Sequence, residues 1–194
     1  ATPRLMTMRE GELVGGQYRL HDRLGRGGMG HVFRATDERL RSQIEGQALA
    51  GLIDNAVFSG DLPQAGRLAT RLRPLLPRLA VEDRVHACEV LIELAMREPD
   101  IPGARALLEQ VRRLAPQHPS TLSFEGQIHW FAGDVLAARQ AFEALLARHP
   151  DYCSALTIEN DLAVFHHALG ELAAAEAMAR RSLASWRGVA HTET

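Results

Sequence analysis

From Ser42 onwards, apolar residues recur at intervals of three and four, the spacing that puts them on one face of an α-helix. Leu49, Leu52, Ile53, Ala56 and Val57 form the first such series, and Gly60-Asp61 ends it. Pro63 suits the first turn of the following helix, where its missing N–H leaves no bond unmade. That helix carries Ala65, Leu68, Ala69, Leu72 and Leu75 before Pro77. The same alternation predicts further helices over 82–97, 102–114, 120–131, 135–147, 153–169 and 172–186. Short links join these segments, so the pattern describes eight helices in antiparallel pairs.

The links repeat. Gly60-Asp61 with Ala65, Pro99-Asp100 with Ala104, Gly133-Asp134 with Ala138, and Gly170-Glu171 with Ala175 are variations on one turn. The alanines stand 39, 34 and 37 residues apart, and in three copies a proline follows twelve residues later, at Pro77, Pro116 and Pro150. A period of this size marks stacked helix pairs, each unable to bury its apolar face alone. Each alanine falls early on a second helix, where a small side chain lets the pair close. Gly126 offers the same relief from the first helix, and Phe142 is placed to fill the space towards the next pair. The prolines should end each second helix.

The pattern before Ser42 differs. Residues 1–12 are polar and without period, and read as a flexible leader. Tyr18 to Leu24 and His31 to Asp37 alternate as strands do, with the glycine-rich Gly25-Arg26-Gly27-Gly28-Met29-Gly30 as a tight turn between them. The fold class expected is therefore all-α: helix-pair repeats over 45–188, a short β-hairpin within 13–44, and a tail at 189–194.

Composition narrows the chemistry. The chain has 194 residues, 46% of them hydrophobic, and a net charge of −2, which gives no general case for nucleic acid or an anionic membrane. Residues 1–44 hold eight arginines against five acids, and the remainder fourteen against nineteen. Every basic residue is arginine. No apolar run approaches the roughly 18 residues of a membrane span, so the expectation is a soluble, cytoplasmic chain. Cys88 and Cys153 lack metal-ligand spacing and read as reduced, half-buried thiols. Among nine histidines, His166 and His167 are adjacent and so face different sides of a helix, while His118 and His149 sit near repeat-ending prolines. None has the spacing of a metal ligand set, and no nucleophilic triad can be argued, so neither a metal nor a catalytic residue is expected.

Two resemblances follow from these residues. Gly25-x-Gly27-x-x-Gly30-x-Val32, continued by Phe33-Arg34-Ala35 and preceded by Tyr18-Arg19-Leu20, resembles the opening of the N-lobe of bacterial Hanks-type serine/threonine protein kinases. It covers 13–40. The resemblance implies an ATP-covering hairpin, with Gly25, Gly27 and Gly30 at the phosphates and Val32 against the adenine. The family's lysine and its His-Arg-Asp and Asp-Phe-Gly motifs are missing, so it implies a vestigial loop and an inactive chain. The alternatives are an ATP-binding, pseudokinase-like regulator and a kinase fragment completed in trans by a partner.

The early-second-helix alanines Ala65, Ala104, Ala138 and Ala175, with Pro77, Pro116 and Pro150, resemble the tetratricopeptide repeat over 45–188. That family's small first-helix residue falls on Gly126 and Ala163, its aromatic positions are poorly kept, and other helical-pair repeats stay open. The resemblance implies a superhelix whose concave face, lined by first helices, takes a partner peptide or helix. Its groove positions fall on Asp54, His86, Glu89, Glu93, Ser123, Gln127, Trp130, Asn160, Val164 and His167. Without lysine, and with this many acids, the groove suits a neutral or basic segment better than a carboxylate terminus. Trp130 is either the apolar anchor for that segment or, with Phe131, packing between repeats. Together the two resemblances imply a non-catalytic scaffold related to repeat-bearing bacterial kinases. Self-association through apolar end helices, at Leu183 and Trp186, is a further expectation.

Overall fold

The computed structural model describes residues 9–27, 30–150 and 155–190. Within them lie a three-stranded antiparallel sheet and eight α-helices in consecutive antiparallel pairs, as the apolar spacing predicts. The strands are β1 (Leu13–Val14), β2 (Tyr18–Gly27) and β3 (Gly30–Asp37). The helices are α1 (Glu38–Ser59), α2 (Leu62–Leu72), α3 (Val81–Arg97), α4 (Ile101–Leu114), α5 (Ser120–Phe131), α6 (Val135–Arg148), α7 (Ala155–Ala168) and α8 (Leu172–Ala190).

The sheet holds more than the hairpin expected. Gly25, Arg26 and Gly27 pair with Val32, His31 and Gly30, so most of the presumed glycine turn is strand; Gly28 and Met29 lie outside the described residues. Backbone pairing is available to glycine as to any residue, and here it extends the ladder. Part of the leader is also tied down. Gly11 N–H donates to the Leu20 carbonyl, and Leu20 N–H donates to Glu12, both at 2.9 Å. The hairpin then meets the helices at the start of α1. Asp37 caps that helix by accepting from the N–H groups of Arg39 and Leu40, and it also accepts from Gln17 Nε2 at 2.8 Å. Arg19 pairs with Glu38 at 2.7 Å.

One backbone bond, from the residue after each turn to the carbonyl five positions back, closes all four helix pairs. Gly60, Gly133 and Gly170 adopt φ of 80°, 82° and 78°, the left-handed conformation that ends a helix with little steric cost. The next residue's N–H then reaches back five positions, as from Asp61 to the Ala56 carbonyl (2.8 Å) and from Asp134 to His129 (2.9 Å). Asp61, Asp100 and Asp134 next cap the following helix, each accepting from the N–H three residues on. The fourth turn departs: Glu171 accepts instead from His166 and Arg139.

The alanines lie where the pairs close. Ala65, Ala104 and Ala138 are fully buried and Ala175 nearly so. A Cβ on Gly126 would stand 3.0 Å from the Phe142 ring and 3.3 Å from the Ala138 carbonyl, so the backbones of α5 and α6 approach as closely as glycine permits. Phe142 in turn stacks on Phe165 of the next pair, centroids 5.4 Å apart. One buried cluster runs from Leu49 on α1 to Ile128 on α5, and a second, around Phe142, Leu145, Ile158, Leu162 and Phe165, joins the last two pairs.

Two expectations are corrected. Pro77 does not end an α-helix; α2 stops at Leu72, and Arg73–Arg78 form a 3-10 turn containing both Pro74 and Pro77. Pro74 has no N–H for the carbonyl four residues back, which stops the α-helix one step earlier. Cys88 is fully buried rather than half-buried, and burial pushes its thiol up to about 11, which makes it an inert core residue. Cys153 lies outside the described residues.

Candidate functional site

The first helices of the pairs, α1, α3, α5 and α7, carry the ten residues expected on a shared face. They fall into two groups of different chemistry. At the acidic end Glu93 on α3 is half-buried, and the carboxylates of Asp54 on α1 and Glu89 on α3 act on it, as does His86. Burial first, and the Asp54 charge second, push the Glu93 carboxyl above the usual carboxylate range. Glu89 lies 3.8 Å from His86 Nδ1 and 3.6 Å from His118 Nδ1, a residue of the link before α5. His118 also exchanges a 2.7 Å hydrogen bond with Ser120, which holds it at the helix start.

The other group is apolar. Gln127, Trp130 and Phe131 of α5 face Asp161, Val164 and Phe165 of α7 across a cleft of about 330 Å³. Trp130 is partly packed and partly exposed. It packs on Phe165, centroids 5.1 Å apart, and still leaves 39% of its surface exposed to the cleft. Phe131 and Val164 are also exposed, so this end presents an apolar surface that none of the described residues covers.

Asp161 was not singled out by the sequence, although its spacing of three from Val164 puts both on one side of α7. It is half-buried, and it makes no hydrogen bond or ion pair with the described residues. Burial pushes its carboxyl upward. An acid held against aromatic and aliphatic groups without a cation is the sharpest chemical feature of the cleft.

Three expected residues contribute differently. Ser123 is buried, and its hydroxyl accepts from the Gln127 amide at 3.3 Å, so it positions Gln127 rather than facing outward. Asn160 and His167 are exposed on α7 but do not line the cleft.

The kinase-like residues are backbone partners in the sheet. Gly25 stands opposite Val32 and Gly27 opposite Gly30, and the Val32 side chain is exposed. Among the histidines, His166 is buried and bonded to Glu171 at 2.5 Å, which ties α7 to the head of α8, whereas His167 is exposed. Among the described residues no group of three His, Cys, Asp or Glu side chains stands close enough to hold a metal ion. Leu183 is exposed on α8, and the Trp186 side chain lies outside what is described. Among the described residues no helix is long and apolar enough to cross a membrane.

Compared with known proteins, the chain matches no family model and no curated protein.

Proposed function

We propose that this chain is a non-catalytic, cytoplasmic scaffold of the tetratricopeptide kind, related to repeat-bearing bacterial Ser/Thr kinases, whose first-helix face takes a partner segment. The segment is basic and carries one large apolar side chain. The observation that carries this reading is the Trp130 cleft, which combines exposed aromatic surface with the half-buried acid Asp161, a group with no partner among the described residues. An apolar anchor in the cleft would remove that surface from water. A partner cation beside Asp161 would offset the cost of burying its charge. Asp54, Glu89 and Glu93 extend the negative field along the same set of helices. The sequence contains no lysine and no metal-holding or proton-accepting kinase motif to support phosphoryl transfer.

Selection of random peptides displayed on phage against the folded chain tests it. Sequences with an aromatic or aliphatic residue two to four positions from Arg or Lys should be enriched. Trp130→Ala and Asp161→Asn should each weaken a selected peptide while helicity holds, with the unfolding midpoint no lower in Asp161→Asn and reduced in Trp130→Ala, which loses its packing on Phe165. Peptides that bind both variants as well as the wild type would place recognition elsewhere. Loss of folding in Trp130→Ala with affinity retained by Asp161→Asn would make the tryptophan packing only.

A further inference from the structure

A second cavity, of about 520 Å³, lies where the hairpin meets the helical array, far in sequence from the Trp130 cleft and with the opposite charge. Four arginines line it: Arg19 from β2, Arg39 from α1, Arg78 from the 3-10 turn and Arg84 from α3. Glu38 is the one acid among the lining residues, and Arg19 already engages it at 2.7 Å. Arg39 and Arg78 make no direct ion pair with a described residue, although the charge of Arg39 reaches Asp37 and that of Arg78 reaches Glu38. Arg84 is anchored by its own donors, because Nη2 bonds the carbonyls of Pro77 and Leu79 at 3.1 and 3.0 Å. Its Nε is buried and has no acceptor among the described residues.

This arrangement asks for an anion. A buried guanidinium N–H without an acceptor is unfavourable, and such groups in folded proteins nearly always have a partner. Like charges gathered from four chain segments repel one another, and arginine cannot relieve this by losing its proton. Gly15 and Gly16 contribute a stretch of wall with no side chains, so a ligand can approach the backbone there. The planar fork of arginine matches the oxygens of phosphate two at a time. The volume exceeds the need of a bare ion and falls within the range of small-ligand sites.

We propose that the cavity formed by Arg19, Arg39, Arg78 and Arg84 binds a phosphate dianion, either as the free ion or as the phosphate of a small phosphomonoester. The inference does not rest on partner binding at the first-helix face. Bound there, phosphate would join the hairpin, α1 and the head of α3 through charge-assisted bonds. It would therefore raise the stability of the hairpin's attachment.

Isothermal titration calorimetry on the full chain at low ionic strength tests it, with inorganic phosphate, ribose 5-phosphate and ribose as probes. One saturable site for the phosphate probes and none for ribose is the expected result. Ribose 5-phosphate binding more tightly than phosphate identifies a phosphomonoester as the ligand. Ribose 5-phosphate binding no more tightly identifies the free ion, and either outcome supports the site. Arg39→Gln and Arg78→Gln, which remove no described ion pair, should each weaken binding by about tenfold with the unfolding midpoint in phosphate-free buffer no lower than that of the wild type. Arg84→Lys, which keeps the charge but loses the fork, should weaken it too. Absence of saturable binding to the folded wild type, or unaltered affinity in the Arg39→Gln/Arg78→Gln double variant, overturns the proposal.

Discussion

Pro99 stands where the other three turns have glycine, and it is held at φ 27°. Its ring favours a φ near −65°, so the backbone there is strained by the need to make the same turn. Asp100 N–H still reaches the Ala95 carbonyl at 2.7 Å, which shows what enforces the geometry. Pro99→Gly should stabilise the chain by about 1 kcal/mol, the relief of strain exceeding the added freedom of the unfolded chain; urea unfolding measures it. Glu93 gives a residue-scale prediction of a different kind. Its folded pKa is raised by burial and by Asp54, above the ordinary 4.5. The folded state therefore favours the protonated acid. The resulting penalty is absent below the unfolded pKa, grows as pH rises from there to the folded pKa, and is constant above it. Glu93→Gln should accordingly be more stable than wild type at neutral pH, with the difference shrinking as the pH falls through the acid range. A series of melts from pH 7 downward would show the two curves converging, whereas parallel curves would mean that Glu93 is solvated in both states.

At the scale of elements, the helix pairs owe their register to the turns. Asp134 accepts from Ala137 N–H at 3.1 Å and so begins α6 at a fixed residue, which then sets Ala138 against Gly126. Asp134→Ala should cost about 1 kcal/mol, read as a lower unfolding midpoint without loss of helicity at low temperature. Glu171 shows how one element can hold the same position by other means. It accepts from Arg139 Nη1 at 2.7 Å and from His166 at 2.5 Å, and so links α6, α7 and α8 with a charge network where the earlier turns use a cap. Those bonds hold its carboxyl below the usual range, the His166 bond contributing most. The hairpin depends on a comparable few contacts, the Gln17–Asp37 and Arg19–Glu38 pairs at the head of α1.

At the scale of the molecule, the array is built from nearest-neighbour packing, and its buried residues form two clusters rather than one. Such arrays lose structure in parts. Phe142 is the centre of the second cluster, touching Gly126 within its pair and Phe165 in the next. Phe142→Ala should cost roughly 3–5 kcal/mol locally. Amide hydrogen exchange should then quicken across α5 to α8 far more than in α1 to α3. Uniform acceleration along the chain would instead show a single cooperative unit. Charge is also divided at this scale. The Trp130 cleft and the Glu93 group are negative, and the cavity beside the hairpin is positive, although the net charge of the whole is only −2.

The sequence by itself determined the helix pairs, their turns and the residues at which they close. These are local matters: a period of three and four residues, an Asp at a cap, and a small residue twelve positions before a proline each act within a turn or two of chain. The ten face residues came instead from the resemblance to the tetratricopeptide repeat, and of them the cleft takes in Gln127, Trp130 and Val164. Asp54, His86, Glu89 and Glu93 stand together at the acidic end, and Asn160 and His167 are exposed away from the cleft. Burial of Ser123 and the role of Asp161 required the separation of α5 and α7, which no spacing along one helix supplies. The arginine cavity was beyond the sequence altogether. Arg19, Arg39, Arg78 and Arg84 come from four segments that show no common pattern, and only the docking of the hairpin against α1 and α3 sets their charges around one space.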